Sequence, residues 1–482
     1  MSVIQALHRM VWGPWTLVLF LGTGIWFTVC SGGFQIRCWK CWLGATAGQF
    51  RNRKADEKLV SPVDASHRKQ YAEQTTGGRM TQIQSVCTAL AATVGTGNIV
   101  GVATALTVGG PGAVFWMWVS AAVGMMTAYA ETCLGLKYRR QTKEGHWLCG
   151  PMLYMELGLH SRTLGVFYAG LAVLASVGMG AMVQANSICA ALQDMAAVPA
   201  MAVALVLTVL VAVILVGGTD RIARVTERLM PPAAGIYLTV SLLVILSCWS
   251  SVPCVLWDIL SDAFAPESAG GGLAGFLMSR SVRYGLSRGV FSNEAGLGTL
   301  AILHGSAEET TPEQQGMWAM FEVFFDTIVI CTLTAFVILC VERQMGIPAG
   351  IDGAQLAAWC FAGRLGRPGE ILVSASLIVF AFATIVAWYY TGWQAAWYVT
   401  QRLLISHRWM VWYYRLLYLG AIYFGCICRL DPVWLFADFC NGLMACPNLL
   451  ALWLLSSEVD WVSDAARSTV KKSATDGPAR MQ

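Results

Sequence analysis

The chain holds 482 residues, of which 56% are hydrophobic and only 12% charged, with a mean hydropathy of +0.57. A water-soluble domain carries about 25% charged residues, so a soluble globule, a disordered chain and a secreted disulfide scaffold are all excluded. The net charge of +4 says little alone, because charge in a polytopic membrane protein is distributed by topology.

A bilayer core takes about 20 apolar residues per helix, so the fold class expected is an all-α polytopic membrane protein. In chain order the apolar runs predict eleven spans, at 14–32, 82–109, 111–135, 165–190, 198–217, 232–253, 273–303, 316–342, 370–397, 410–428 and 432–455. The first, from Trp15 to Cys30, follows a single Arg and lacks a small-x-small cleavage pattern. A retained helix is expected there, not a signal peptide. Residues 33–81 form a polar loop of mixed charge that contains Cys38-Trp-Lys-Cys41. No second pair or nearby His completes a zinc site, and most of the 16 cysteines lie in apolar runs as small hydrophobes. The seventh span is interrupted in its outer half by Arg280, Arg283 and Arg288.

Lys and Arg set the orientation. On the side of the 33–81 loop 23 of them collect, and 5 lie on the opposite side. That asymmetry predicts an N-terminus outside and a cytoplasmic C-terminus. The organisation expected is a first helix with its basic cytoplasmic loop (1–81), two five-helix units (82–254 and 255–457) and a cytoplasmic tail (458–482). The tail is rich in Ser, Ala and Lys and reads as disordered.

Two spans contain sequence that a plain membrane helix avoids. The second carries Thr93-Val94-Gly95-Thr96-Gly97-Asn98, and the seventh carries Phe291-Ser292-Asn293-Glu294-Ala295-Gly296. Unpaired backbone costs several kcal/mol per group in hydrocarbon, so unwound chain persists only where it lines a cavity. The two spans are five apart, and five is odd, so spans 2–6 and 7–11 read as inverted repeats. Interrupted helices at matching positions of such repeats point to a transporter's central site. Close helix packing, as in Gly97-x-x-x-Gly101, explains the glycines but not Asn98, Asn293 or Glu294. Half-helix N-termini suit a carboxylate and half-helix C-termini suit an ammonium group or a sodium ion.

At these residues the sequence resembles the alanine or glycine:cation symporter family, the sodium/alanine symporters. The resemblance rests on CTALAATVGTGNIVGVATALTVGGPGAVFWMWVSAAVGM at 87–125, GPMLYMELGL at 150–159, MVQANSI at 182–188 and GGTDRIARVTERLMP at 217–231. It continues through RGVFSNEAGLG at 288–298 and QGMWAMFEVFFDTIVICTLTAFVIL at 315–339. It implies a leucine-transporter-type fold, with one extra helix before two inverted five-helix repeats and broken helices 2 and 7. It further implies sodium-coupled import of small neutral amino acids, chiefly alanine or glycine, by an inner-membrane protein of a bacterium. Carried across, substrate contacts fall on Thr96, Gly97, Gln184, Phe291, Ser292, Asn293 and Trp388, and a sodium site on Ala91, Val94, Phe380 and Thr384. Partners implied are the amino acid, sodium as coupling ion and the lipid bilayer, with no cofactor, no nucleic acid and a monomeric state. The ninth span departs from the family pattern. Ala383 replaces a hydroxyl residue and Trp393 stands where an acid is usual, so a proton-coupled carrier is the alternative.

Other readings compete at single residues. Gln184 suits either a substrate contact or an interhelical hydrogen bond, and Trp388 either a pocket wall or a lipid-facing belt. Glu322 and Asp326 share a helical face as intramembrane acids, functional or serving as scaffold partners of Arg280, Arg283 or Arg288. Glu294 either braces its broken helix or joins ion coupling. All six His residues fall in tails, loops or span ends, and neither a metal cluster nor a nucleophile motif appears, so no enzyme is expected. An ion channel is the weaker second class, because no filter repeat or ring of like charge is present.

Overall fold

The structure, a computed structural model, describes residues 11–48, 80–142, 145–264, 280–308, 310–348, 350–403, 406–428 and 430–461. Helix dominates, as it must where the backbone has to satisfy its own polar groups. The first helices are α1 (Pro14–Cys30), α2 in two pieces (α2a, Gln82–Thr93, and α2b, Gly97–Gly109), α3 (Gly112–Lys137), α4 (Arg162–Ala196), α5 (Ala200–Val216) and α6 (Gly218–Ser247). Then come α7, also in two pieces (α7a, Arg280–Asn293, and α7b, Thr299–Gly305), and α8 (Pro312–Met345), α9 (Arg367–Leu403), α10 (Trp409–Ile427) and α11 (Pro432–Leu454). Among the described residues seven helices are long and apolar enough to cross a bilayer, and α2 makes eight when its halves, bent by 42°, count as one span. Both α1 and α5 are apolar but only 17 residues long.

Local chemistry explains where key helices start and stop. α2a opens with a reciprocal capping box, in which the Thr81 side chain accepts from the Gln84 N–H and the Gln84 side chain accepts from the Thr81 N–H. α3 opens where the Asp262 carboxylate accepts from the Gly112 N–H at 2.7 Å, negative charge meeting the positive end of a helix. Among the described residues three stretches of wider i→i+5 winding, Gly97–Gly101 in α2b, Ser176–Val183 in α4 and Phe324–Cys331 in α8, loosen the ladder beside the centre.

α6 begins at Gly218 and contains Pro231 and Pro232, whereas apolar composition placed its start near 232. Its polar first turns hold helix geometry although hydropathy is silent about them. Cys38 lies between short helices at Phe34–Arg37 and Trp39–Ala45 and Cys41 on the second of them, and among the described residues neither forms a disulfide. Residues 49–79 of the long loop, 273–279 of the seventh expected span and the tail from 462 lie outside the described residues.

Packing separates centre from rim. α5 turns Met201, Leu205, Val209 and Val213 outward, an all-apolar face that suits lipid. α9 is buried along nearly its whole length from Phe380 to Tyr398, and α3 is buried from Gly124 to Leu136. The two broken helices lie against these buried helices, which fixes the position of the site.

Candidate functional site

The first break opens after Thr93. Val94 ends α2a by donating its N–H to the Leu90 carbonyl, and the next N–H, of Gly95, goes to Asn98 Oδ1 at 2.9 Å instead of to a helical carbonyl. Asn98 thereby holds the turn open while its amide Nδ2 donates to Asp326 Oδ1 at 2.5 Å. Gly95 is required by packing: a Cβ there would lie 2.6 Å from the Thr384 hydroxyl. The Thr96 N–H donates to Gln184 Oε1 at 3.4 Å, and the Thr96 hydroxyl is fully buried without a partner among the described residues.

The second break falls within the second half of the motif. α7a runs on through Phe291, Ser292 and Asn293, and the chain unwinds at Glu294, whose φ of +57° is left-handed. Ala295 N–H is taken by Asn293 Oδ1 at 3.1 Å, and Asn293 Nδ2 donates to the Thr327 hydroxyl at 3.2 Å. Ser292 donates to Asp326 Oδ2 at 2.7 Å, and Thr327 donates to the same oxygen at 2.9 Å. The two breaks therefore meet on one carboxylate. A Cβ on Gly97 would sit 3.3 Å from Ser292 Cα and 3.4 Å from the Phe291 ring. Cys331 closes the node, its Sγ 3.4 Å from Asn98 Nδ2 and 3.3 Å from the Ser292 hydroxyl.

A second cluster of oxygens lies behind α2a. The Thr384 hydroxyl is 2.8 Å from the Ala91 carbonyl oxygen and 2.9 Å from that of Phe380. Three of the four residues expected to hold sodium thus converge, and the fourth, Val94, is buried at the same helix end. Ala383 is buried beside Thr384 and offers no oxygen from its side chain.

Trp388 is fully buried, and its indole N–H is committed to Glu294 Oε1 at 2.9 Å. The other carboxylate oxygen accepts from Thr299 at 2.6 Å, so Glu294 spans the gap between the halves of α7 and ties it to α9. The lipid-belt reading of Trp388 gives way to this arrangement, in which Glu294 is placed as a brace of its broken helix.

Other partners differ from those the sequence suggested. Arg288 pairs with Asp438 on α11, through 3.2 Å and 2.7 Å hydrogen bonds, and not with Glu322 or Asp326. Its guanidinium lies over the rings of Phe291 and Trp434, which stack at 4.9 Å. Glu322 pairs instead with His304 on α7b, at 3.0 Å. Asp438 was visible as an acid inside the eleventh apolar run, the signal that could have found it. Glu131 is likewise buried, accepting from Gly298 N–H at 3.1 Å and Asn448 Nδ2 at 2.6 Å. Among the described residues no group of three His, Cys, Asp or Glu side chains suits a metal cluster.

Comparison with known proteins shows the family and the fold. The model described as the sodium:alanine symporter family matches residues 1–476. The sodium/alanine symporter AgcS of Methanococcus maripaludis is 36% identical over 464 residues, covering 95% of each chain. The amino-acid carrier protein AlsT of Bacillus subtilis is 35% identical, with 95% of this chain and 90% of that one aligned. Among solved structures, MhsT in complex with L-phenylalanine superposes with a TM-score of 0.60 at 14% identity, over 83% of this chain and 96% of that chain. At that identity the likeness concerns the fold alone.

Proposed function

We propose that this chain, which belongs to the sodium:alanine symporter family, imports a small neutral amino acid, alanine or glycine, by symport with sodium. The observation that carries the reading is the meeting of two helix breaks on the buried carboxylate of Asp326. Broken helices offer free N–H groups to a substrate carboxylate and free carbonyls to an ammonium group. Asp326 adds one full negative charge in a site where no cationic side chain contacts it among the described residues, so a bound cation is its natural complement. The orphaned Thr96 hydroxyl supports a ligand at the same place, since a buried polar atom without a partner costs about 1–3 kcal/mol. Tight packing of Gly97 on Ser292 and Phe291 supports a small substrate.

In this reading Thr96, Gly97, Gln184, Phe291, Ser292 and Asn293 surround the amino acid, and Asn98 shapes the first break. Trp388 acts by holding Glu294. Sodium sits among the carbonyls of Ala91, Val94 and Phe380 and the Thr384 hydroxyl. The eleven helices form one leading span and two inverted repeats of five, with the N-terminus outside. The Arg288–Asp438 pair, outside the Phe291–Trp434 stack, supports a closed extracellular cover and hence a carrier over a channel. One chain supplies every group named, which supports action as a monomer.

Uptake of labelled glycine, L-alanine, D-alanine and serine into proteoliposomes, with and without a sodium gradient, tests the proposal. Sodium-dependent accumulation of one or more of them is expected. Equal uptake with and without the gradient overturns it.

A further inference from the structure

One polar cluster is not used by that mechanism. His304, at the end of α7b, and Glu322, on α8, are both fully buried and joined at 3.0 Å. The Gln315 amide donates to His304 Nδ1 at 2.6 Å, so that nitrogen accepts and the proton of the neutral ring sits on Nε2, directed at Glu322 Oε2. Gln315 Oε1 in turn accepts from Gln82 Nε2 at 3.4 Å and from Thr310 at 3.3 Å, at the starts of α2a and α8. The cluster therefore joins three helices at the end that the charge asymmetry assigns to the cytoplasm. Glu322 Oε1 has no donor among the described residues.

We propose that His304 and Glu322 form a proton-binding site that couples opening of the cytoplasmic route to cytoplasmic pH. The inference rests on the transporter reading, and it names a ligand that the reading does not require. As drawn, the pair carries one net negative charge sealed from water. The acids Asp326 on α8 and Glu294 at the α7 break interact electrostatically with Glu322 and, when ionised, add charge of the same sign. Arg139, from the end of α3, lies nearby but donates to the carbonyls of Gly305 and Ala307, at 3.0 Å and 2.5 Å, and not to the pair. Further titratable groups around α7b are the Cys149 thiol, bonded to the Ile302 carbonyl, the Tyr390 phenol beside Ser306, and Tyr168 and Glu131 at the start of the helix, bonded to the Leu297 carbonyl and the Gly298 N–H.

Opening this side requires α7b and α2a to part from α8, which admits water to Glu322. The proton balance is simple. In the closed state one proton taken from the cytoplasm adds to the pair and cancels its charge, with no other bond broken. In the open state water solvates the carboxylate and the proton leaves to the cytoplasm. A state that binds the proton more tightly is favoured as pH falls. Closure is therefore favoured by acid and opening by alkali, with up to about a tenfold change in the equilibrium per pH unit for one proton.

The test is sodium-driven alanine uptake into proteoliposomes of sorted orientation, with pH stepped on one side at a time. Wild type, Glu322→Gln and His304→Gln are compared at equal reconstituted amounts. Wild-type uptake should rise with pH on the side bearing Gln82 and Thr310, and stay flat for pH on the other. Glu322→Gln, which keeps the shape and accepts from His304, should transport more slowly and lose the response. His304→Gln should shift or flatten the profile. A flat wild-type profile on the Gln82 side, or an unaltered response in both folded variants, overturns the proposal. Absence of sodium-driven uptake by wild type would instead refute the transport reading, which keeps the two failures distinct.

Discussion

Thr384 shows how much one hydroxyl carries. It is the sole side-chain oxygen assigned to the proposed sodium site, between two carbonyls at 2.8 Å and 2.9 Å. Thr384→Ala should raise the sodium concentration for half-maximal alanine uptake by about tenfold, the equivalent of roughly 1.4 kcal/mol, with substrate preference unchanged. Ala383→Ser should lower it by adding a ligand at the same turn. Initial uptake against sodium concentration for the three proteins decides this, and identical curves would sink the site. Asp326→Asn preserves shape but removes the charge on which both breaks meet, so uptake should fall at least tenfold while the protein remains folded. Uptake and melting temperature, measured on the same preparation, separate the two effects. The chemistry of these residues was legible in the sequence, because Asn98, Ser292 and Asp326 are polar groups placed where hydrocarbon forbids idle ones. Partner choice was not. Nothing in the local pattern around Arg288 selects Asp438, 150 residues away, over the nearer acids Glu322 and Asp326.

Among the elements, α4 and α9 meet at a glycine. A Cβ on Gly180 would collide with the Trp388 side chain, its Cγ at 2.8 Å, and Trp388 in turn holds Glu294 at the α7 break. Gly180→Ala should therefore overpack the contact by about 1–3 kcal/mol and loosen the break at a distance. A lowered melting temperature together with weaker alanine binding is expected, and an unchanged value of both would show that α9 shifts freely. Apolar runs located the long helices but not every start, since α6 begins at Gly218, ahead of its apolar stretch. Both breaks were legible from glycine and polar residues inside apolar runs, but not that α7a stays helical through Asn293, whose amide caps the unwound turn at Ala295. Nor could the wide turns of α4 and α8 be read, since Ser176–Val183 and Phe324–Cys331 have ordinary helical composition.

In the molecule as a whole the site is covered at one end by Arg288 and Asp438 and at the other by the α7b terminus held by Arg139. Removing one partner of a buried ion pair costs about 3–5 kcal/mol and leaves the other charge exposed to repulsion or solvent. Asp438→Asn should thus unlatch the outer cover, and Cys331, buried in the site, becomes a native reporter. An impermeant thiol reagent added outside should modify Cys331 several-fold faster in the variant, as read by mass spectrometry, and equal rates would deny the cover its role. At the opposite end, Met80 and Ala307 form a parallel bridge, the Glu308 N–H reaches the Met80 carbonyl at 3.1 Å, and Ser85 donates to the Leu303 carbonyl at 2.8 Å. The α2a and α7b halves of the two broken helices are thus yoked. Two levers that share a yoke swing about one hinge, so they answer a load together and have one rate, not two. A disulfide between Met80→Cys and Ala307→Cys should then form readily and leave transport running, since it welds parts that already travel as one.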